Sequence, residues 1–214
     1  MPIKNAPTRR NFMRGAAFGL AILASTITTA NFTPATAKAL TGPQRHVTSI
    51  ANSVIRLANS GLRGTQLHSK FVRLLSTHAN MDAVAMFALG RYRSKLPTSK
   101  SRKYKKLVKA YIAGLFVYYA SDFRGRGLKI GTTRKSGRSN IINSKIVFAG
   151  SSKPVIWRVY SRGNRHRVTD VNIRGVWLSI QMRQKFTQLL KRNNGDFDKL
   201  IAFLDEYKNW MPKS

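Results

Sequence analysis

Cysteine is missing from the 214 residues. Disulfides, thiolate metal sites, iron–sulfur clusters and a cysteine nucleophile are therefore excluded. The absence does not fix the compartment, because an exported protein can do without disulfides. Acids are scarce: 7 Asp and Glu stand against 39 Lys and Arg, a formal net charge of +32. Glu206 is the single glutamate, and there are 4 histidines. None of them forms H-E-x-x-H, so a zinc enzyme is not expected. Walker motifs are absent, and Gly125-Arg-Gly-Leu-Lys-Ile-Gly131 has neither the spacing nor the following helix of a dinucleotide loop. His166 and Asp170, four residues apart on one strand, would be separated by about 13 Å. With Ser179 they make no nucleophilic triad. What is present is an apolar share of 43%, too high for a disordered chain. The length suits one domain. Such a surplus of positive charge attracts polyanions, either nucleic acid or anionic lipid.

Residues 1–39 carry five bases, Lys4, Arg9, Arg10, Arg14 and Lys38, and no acid. A short apolar run, Gly15 to Ser25, follows them, and then two Ala-x-Ala sites ending at Ala37 and Ala39. This is the layout of a signal peptide. The apolar run falls short of the ~20 residues that span a bilayer. Thr8-Arg9-Arg10-Asn11-Phe12-Met13 also has the form of a twin-arginine export signal. An ordinary secretory signal and an uncleaved anchor are the alternatives. Cleavage after Ala39 would leave 40–214 as a single, still strongly basic domain. Export to the periplasm favours membrane lipid over nucleic acid as partner.

Helices come first, then strands, then helices. Thr41 caps a first helix whose Val47, Ile50, Ala51, Val54, Ile55 and Ala58 recur at helical spacing up to Gly61. A second helix covers about Thr65 to His78. A third follows Asp82 as N-cap, and the longest opens at Pro97-Thr98-Ser99. Its apolar stripe from Tyr104 to Tyr119 is wide, so it should face the main core. Strands are expected over Leu128–Thr132, Asn140–Ala149, Val155–Arg162 and His166–Leu178, with a hairpin turn at Arg162-Gly163-Asn164-Arg165. Alternation of Trp157 and Val159 with Arg158, and of Val171 and Ile173 with Asn172 and Arg174, predicts one buried and one wet, basic face. Ser179 should cap a helix to about Arg192, and Asp196 should open a last one. The class is α+β, a helical layer packed on a twisted antiparallel sheet.

Three segments in order resemble the MlaC family, also called the toluene-tolerance auxiliary family. They are Met81 to Phe123, Lys153 to Phe186, and the tail Asp196 to Leu204. In the second, Tyr160, Val168, Asp170, Val171, Gly175, Val176, Leu178, Arg183 and Phe186 fall in step with the family pattern. Arg93, His166 and Trp177 depart from it. The resemblance implies an NTF2-like or cystatin-like sheet under helices, with an apolar pocket between them for acyl chains. It implies a periplasmic phospholipid carrier without catalysis and without a cofactor, the lipid being cargo. Its partners would be an inner-membrane ABC transporter complex, through that complex's substrate-binding-domain subunit, and an outer-membrane lipoprotein/porin complex. Asp170 and Arg183 would be structural and could pair. Other readings stay open: a hopanoid or other isoprenoid cargo, a basic nucleic-acid-binding protein, or an enzyme with a hidden site.

A pocket for acyl chains needs aliphatic and aromatic walls, since each buried CH₂ contributes about 0.8 kcal/mol. The long helix offers Val108, Tyr111, Leu115, Tyr118 and Tyr119. The strands offer Ile146, Phe148, Trp157, Val159, Val171 and Ile173, and Phe71 and Leu75 could close the pocket. Basic clusters at Lys100–Lys106, Arg134-Lys135, Arg138 and Arg162–Arg167 could meet an anionic membrane surface or an acidic partner.

Overall fold

A computed structural model describes residues 39–208. Arg9, Arg10 and Ala37, expected to belong to a signal peptide, lie outside the described residues, and Ala39 is the first of them. Helix α1 spans Gly42–Asn59, α2 Gly64–His78, α3 Met81–Ala88 and α4 Thr98–Tyr118. Strands β1 Gly127–Ser136, β2 Ser139–Val147, β3 Ser152–Arg162, β4 Arg165–Ile173 and β5 Val176–Trp177 follow, then α5 Leu178–Arg192 and α6 Phe197–Tyr207. The class is α+β, as the residue pattern implies.

The six apolar residues at helical spacing in α1 are all buried. Its start is held by Gln44, whose Oε1 accepts the Thr41 N–H at 2.8 Å. The third helix is capped by Asn80, not by Asp82: the Asn80 side chain accepts the Ala83 N–H at 3.1 Å. Asp82 sits one position inside the first turn, where its charge suits the helix N-terminus and pairs with Lys105 at 2.9 Å. At α6 the expected cap is present, Asp196 accepting from the Asp198 N–H at 2.7 Å.

All five strands are antiparallel and lie in sequence order, β1-β2-β3-β4-β5. The expected long strand 166–178 is in fact two. Arg174 (φ 55°) and Gly175 (φ 86°) reverse the chain so that Ile173 pairs with Val176 and Asn172 with Trp177. Two successive left-handed residues make the two-residue turn that matches strand twist, and glycine adopts that geometry without strain. A bulge leaves Thr169 unpaired, because Arg158 pairs with Asp170 but Val159 with Val168. The extra residue turns Val168 to the same face as Val171 and Ile173, although simple alternation would oppose them. Thr169 Oγ1 donates to the Arg158 carbonyl at 3.2 Å.

One face of the sheet carries Val155, Trp157 and Val159, all buried. Helix α1 crosses this face, and α2, α3 and α5 meet it along β4. Helix α4 forms a second layer with α2, α3 and α6. Tyr104, wholly buried in α4, donates its hydroxyl to the Ala85 carbonyl at 2.7 Å, and burial pushes its pKa far up.

Helix α5 starts at Leu178 with Trp177 as N-cap, so Ser179 lies in its first turn instead of capping it. The carboxylate that serves this end is Asp170 of β4, 5% exposed. Its Oδ1 accepts the backbone N–H groups of Val171 and Ser179, both at 3.0 Å. Its Oδ2 accepts the Ser179 hydroxyl at 2.5 Å. The charged neighbour is Arg158, at 3.6 Å. Arg183 is not the partner of Asp170: its guanidinium lies 5.2 Å from the centre of the Phe87 ring. The bulge and the β4–β5 turn together bring Asp170 under the helix terminus, which sequence spacing cannot reveal.

Candidate functional site: a cavity between sheet and helices

A cavity of about 980 Å³ lies between the inner face of the sheet and the helices. It stands at the upper end of ordinary small-molecule pockets, about 300–1,000 Å³. Its depth is apolar. Ile50, Ala51 and Val54 come from α1, Phe71, Leu74 and Leu75 from α2, and Tyr111, Ile112, Leu115 and Phe116 from α4. Ile146, Val155, Trp157, Val168, Val171 and Ile173 form the sheet wall. Phe71 and Phe116 stack with ring centres 3.9 Å apart, so α2 and α4 are pinned together behind the space they line.

The polar atoms of the wall are satisfied. The Trp157 indole donates to Ser144 Oγ at 2.9 Å, and Ser144 donates in turn to the Val155 carbonyl at 2.7 Å. No buried side-chain N or O among the described residues lacks a partner. A wall of this kind offers an entering molecule almost no hydrogen-bonding group, so it recognises area and shape, not functional groups.

Charge appears only at the mouth. Gln181, Gln184, Lys185, Gln188 and Arg192 lie along one exposed flank of α5 at helical spacing. Across from them are Tyr119, Asp122, Arg174 and Val176. Asp122 is already engaged by Arg174 and Lys153, both at 3.0 Å. Arg174, Lys185 and Arg192 therefore leave the mouth net positive, suited to an anionic group.

Of the residues anticipated for the pocket, Phe71, Leu75, Tyr111, Leu115, Tyr119, Ile146, Trp157, Val171 and Ile173 line the cavity. Val108, Tyr118, Phe148 and Val159 do not. Val108 and Val159 have no exposed surface and are packed solid. Tyr118 lies 42% exposed outside, its ring edge-on to Tyr119 at 4.7 Å. Phe148 stands beyond the end of β2, with the Lys153 ammonium 5.1 Å from its ring centre. The α1 wall and the α5 flank were not anticipated as lining. The first belongs to the apolar stripe already evident in α1. The second had a signal in the glutamines repeated at 181, 184 and 188.

Three histidines meet beside the cavity, and one of them, His78, is among its lining residues. His46 lies 5.6 Å from His78 and 6.1 Å from His166, ring centre to ring centre. His46 Nε2 is 3.3 Å from the His78 carbonyl, and His166 Nδ1 is 2.9 Å from Ser161 Oγ. His166 therefore has no part in the Asp170–Ser179 pair. Among the described residues, no group of His, Asp or Glu could hold a metal ion. Burial lowers the pKa of His46, reinforced by the charges of His78, His166 and Arg167. Burial and Arg167 lower that of His78. Both folded-state values lie below the ordinary 6.5, so the unfolded chain binds more protons as pH falls. The stability these groups contribute is full above pH 6.5 and is lost as pH drops through their folded values. The melting temperature should fall between pH 7.5 and 5, and His46→Gln should flatten that slope; thermal denaturation across this range measures both.

The comparisons fit this architecture. A solved structure described as the phospholipid-binding protein from Ralstonia solanacearum in complex with a phospholipid superposes with a TM-score of 0.65 at 19% identity. The match covers 78% of this chain and 96% of that one. At such identity the likeness concerns the fold alone. No curated protein matches the sequence. A family model, that of the MlaC protein, matches residues 46–206, which include every residue that lines the cavity. With most of its length under that match, the chain belongs to the MlaC family.

Proposed function

We propose that the chain is a non-catalytic carrier that holds the acyl chains of a phospholipid in the cavity and keeps the head group at the basic mouth. The carrying observation is the match of cavity to cargo. About 980 Å³ of space is walled largely by apolar side chains, with Arg174, Lys185 and Arg192 among its exposed lining residues. Two long acyl chains contain roughly 30 methylenes, worth on the order of 24 kcal/mol of gross transfer free energy in a dry site. That exceeds the costs of association and ordering, so the lipid stays bound while crossing water. The neighbour solved with a phospholipid, on the same fold, supports this cargo.

A carrier of this kind works between two membranes. The leader with Arg9, Arg10, Ala37 and Ala39 supports export to the periplasm. Family membership supports delivery between an outer-membrane lipoprotein/porin complex and an inner-membrane ABC transporter complex. The protein purified from a bacterial periplasm, extracted with organic solvent and analysed by mass spectrometry, should yield close to one diacyl phospholipid per chain after a high-salt wash. A different stoichiometric lipid, such as a hopanoid, would change the cargo. Lipid no higher than in a basic control protein would overturn the reading.

A further inference from the structure

Among the described residues, the face of the sheet turned away from the cavity is exposed along β1 and at the β3–β4 hairpin, and it has its own character. The register places Lys129 beside Lys145, Arg134 beside Ile141, Ile141 beside Arg158, and Tyr160 beside Arg167 on this face. Arg162 and Arg165 close the β3–β4 hairpin at its end. All of these bases except Arg158 are exposed, and among the described residues no ion pair engages the exposed ones. Among the described residues this face holds one carboxylate, Asp170, buried and already bound to Ser179 and Arg158. Arg158 in turn lies 4.5 Å from the centre of the Trp177 ring.

The β4–β5 turn joins this basic face to the cavity mouth. Trp177 stands on the outer face, while Arg174 and Val176, one to three residues before it, stand on the rim. The rim is unusually apolar for an exposed surface: Val176 is 42% and Tyr119 46% exposed, with Tyr118 packed on Tyr119. Bases next to exposed aromatic and apolar side chains are the composition of a membrane-interface surface.

We propose that the outer face of the sheet, from Lys129 and Lys145 to the Arg162–Arg165 hairpin, docks the protein on an anionic phospholipid surface, with the rim at Tyr119 and Val176 meeting the bilayer interface. The proposal rests on the carrier reading for its choice of a lipid surface over another polyanion. A base near an anionic bilayer contributes about 1 kcal/mol, roughly fivefold in partitioning, screened over a Debye length. The surface would bring the mouth to the lipid it loads or unloads.

The test uses the full chain and sedimentation with vesicles, either pure phosphatidylcholine or phosphatidylcholine with one-third phosphatidylglycerol, at physiological salt. The face variant Lys129→Gln/Arg134→Gln/Arg162→Gln/Arg165→Gln should lose at least about tenfold in binding to the anionic vesicles. A control of equal charge, Lys70→Gln/Arg73→Gln/Lys106→Gln/Lys199→Gln on the helical side, should stay within about threefold of wild type. Binding to pure phosphatidylcholine, where any contribution of the leader appears, should be the same in all three. Equal loss in both variants would mean that net charge alone attracts the protein, and would overturn the proposal. Unchanged binding by the face variant would overturn it too. So would tighter binding of wild type to a single-stranded oligonucleotide than to the vesicles, with that binding lost in the face variant. Extracted lipid is counted on the same preparations. A folded face variant that keeps its lipid but leaves the vesicles supports docking separately from carriage. Protein without lipid that still sediments through this face would sink the carrier reading while sustaining the docking surface.

Discussion

Leu115→Trp combined with Val171→Trp is expected to give a folded protein that carries less than about a tenth of the wild-type lipid, because the added ring volume occupies the space the chains need. The two side chains face the same cavity from opposite walls, Leu115 on α4 and Val171 on β4. Overpacking a filled core usually costs 1–3 kcal/mol. Here the rings enter empty apolar space, so stability should hold or rise as new contacts form. The control is Val108→Leu in the packed part of α4, where Val108 has no exposed surface. It should cost stability, about 1–3 kcal/mol, and leave the lipid content alone. Organic extraction with mass spectrometry gives the lipid, and a thermal melt of each apo protein gives the stability. Double-tryptophan protein that retains its phospholipid would place the cargo elsewhere.

Asp170→Ala should produce the largest loss of stability from a single polar side chain. The carboxylate accepts three hydrogen bonds from Val171 and Ser179 and lies 3.6 Å from Arg158. Its removal strands the buried Ser179 hydroxyl and the first-turn N–H of α5. Leaving buried partners of a charged group unmatched costs about 3–5 kcal/mol. The partial exposure of Arg158 places the expectation at the low end, about 3 kcal/mol. In a domain of this size that is a drop of about 6–12 °C in melting temperature. Ser179→Ala, which deletes one hydroxyl bond and keeps the carboxylate, should cost about 1–2 kcal/mol. Circular-dichroism melts decide it: an Asp170→Ala protein melting within about 2 °C of wild type would show that this carboxylate does not anchor α5.

The contrast between those two sites shows how far side-chain patterning reaches. Periodicity of 3.6 identified the buried stripe of α1 and the stripe of α4 that includes Tyr111 and Leu115, because a helix must bury one face. Alternation identified the inward set Trp157, Val171 and Ile173 for the same reason in a strand. Both kinds of pattern report that a side chain leaves water. Neither reports whether it meets another side chain or a hollow. Val108 and Tyr111 lie on one stripe, yet one is packed solid and the other lines the cavity. Hollowness arises where layers diverge, and divergence depends on the angle of a helix to the sheet.

The order of helices and strands and the three motif segments at 81–123, 153–186 and 196–204 are properties of the chain read in one dimension, and they were enough to set the class and to point to the family. The cavity, the clustering of three histidines beside it and the Asp170–Ser179 anchor were decided in three dimensions. A single bulged residue, Thr169, and a single left-handed pair, Arg174-Gly175, reset which side chains share a face and where the chain turns back. Their effect propagates through the pairing of strands distant in sequence, so local spacing carries no trace of it.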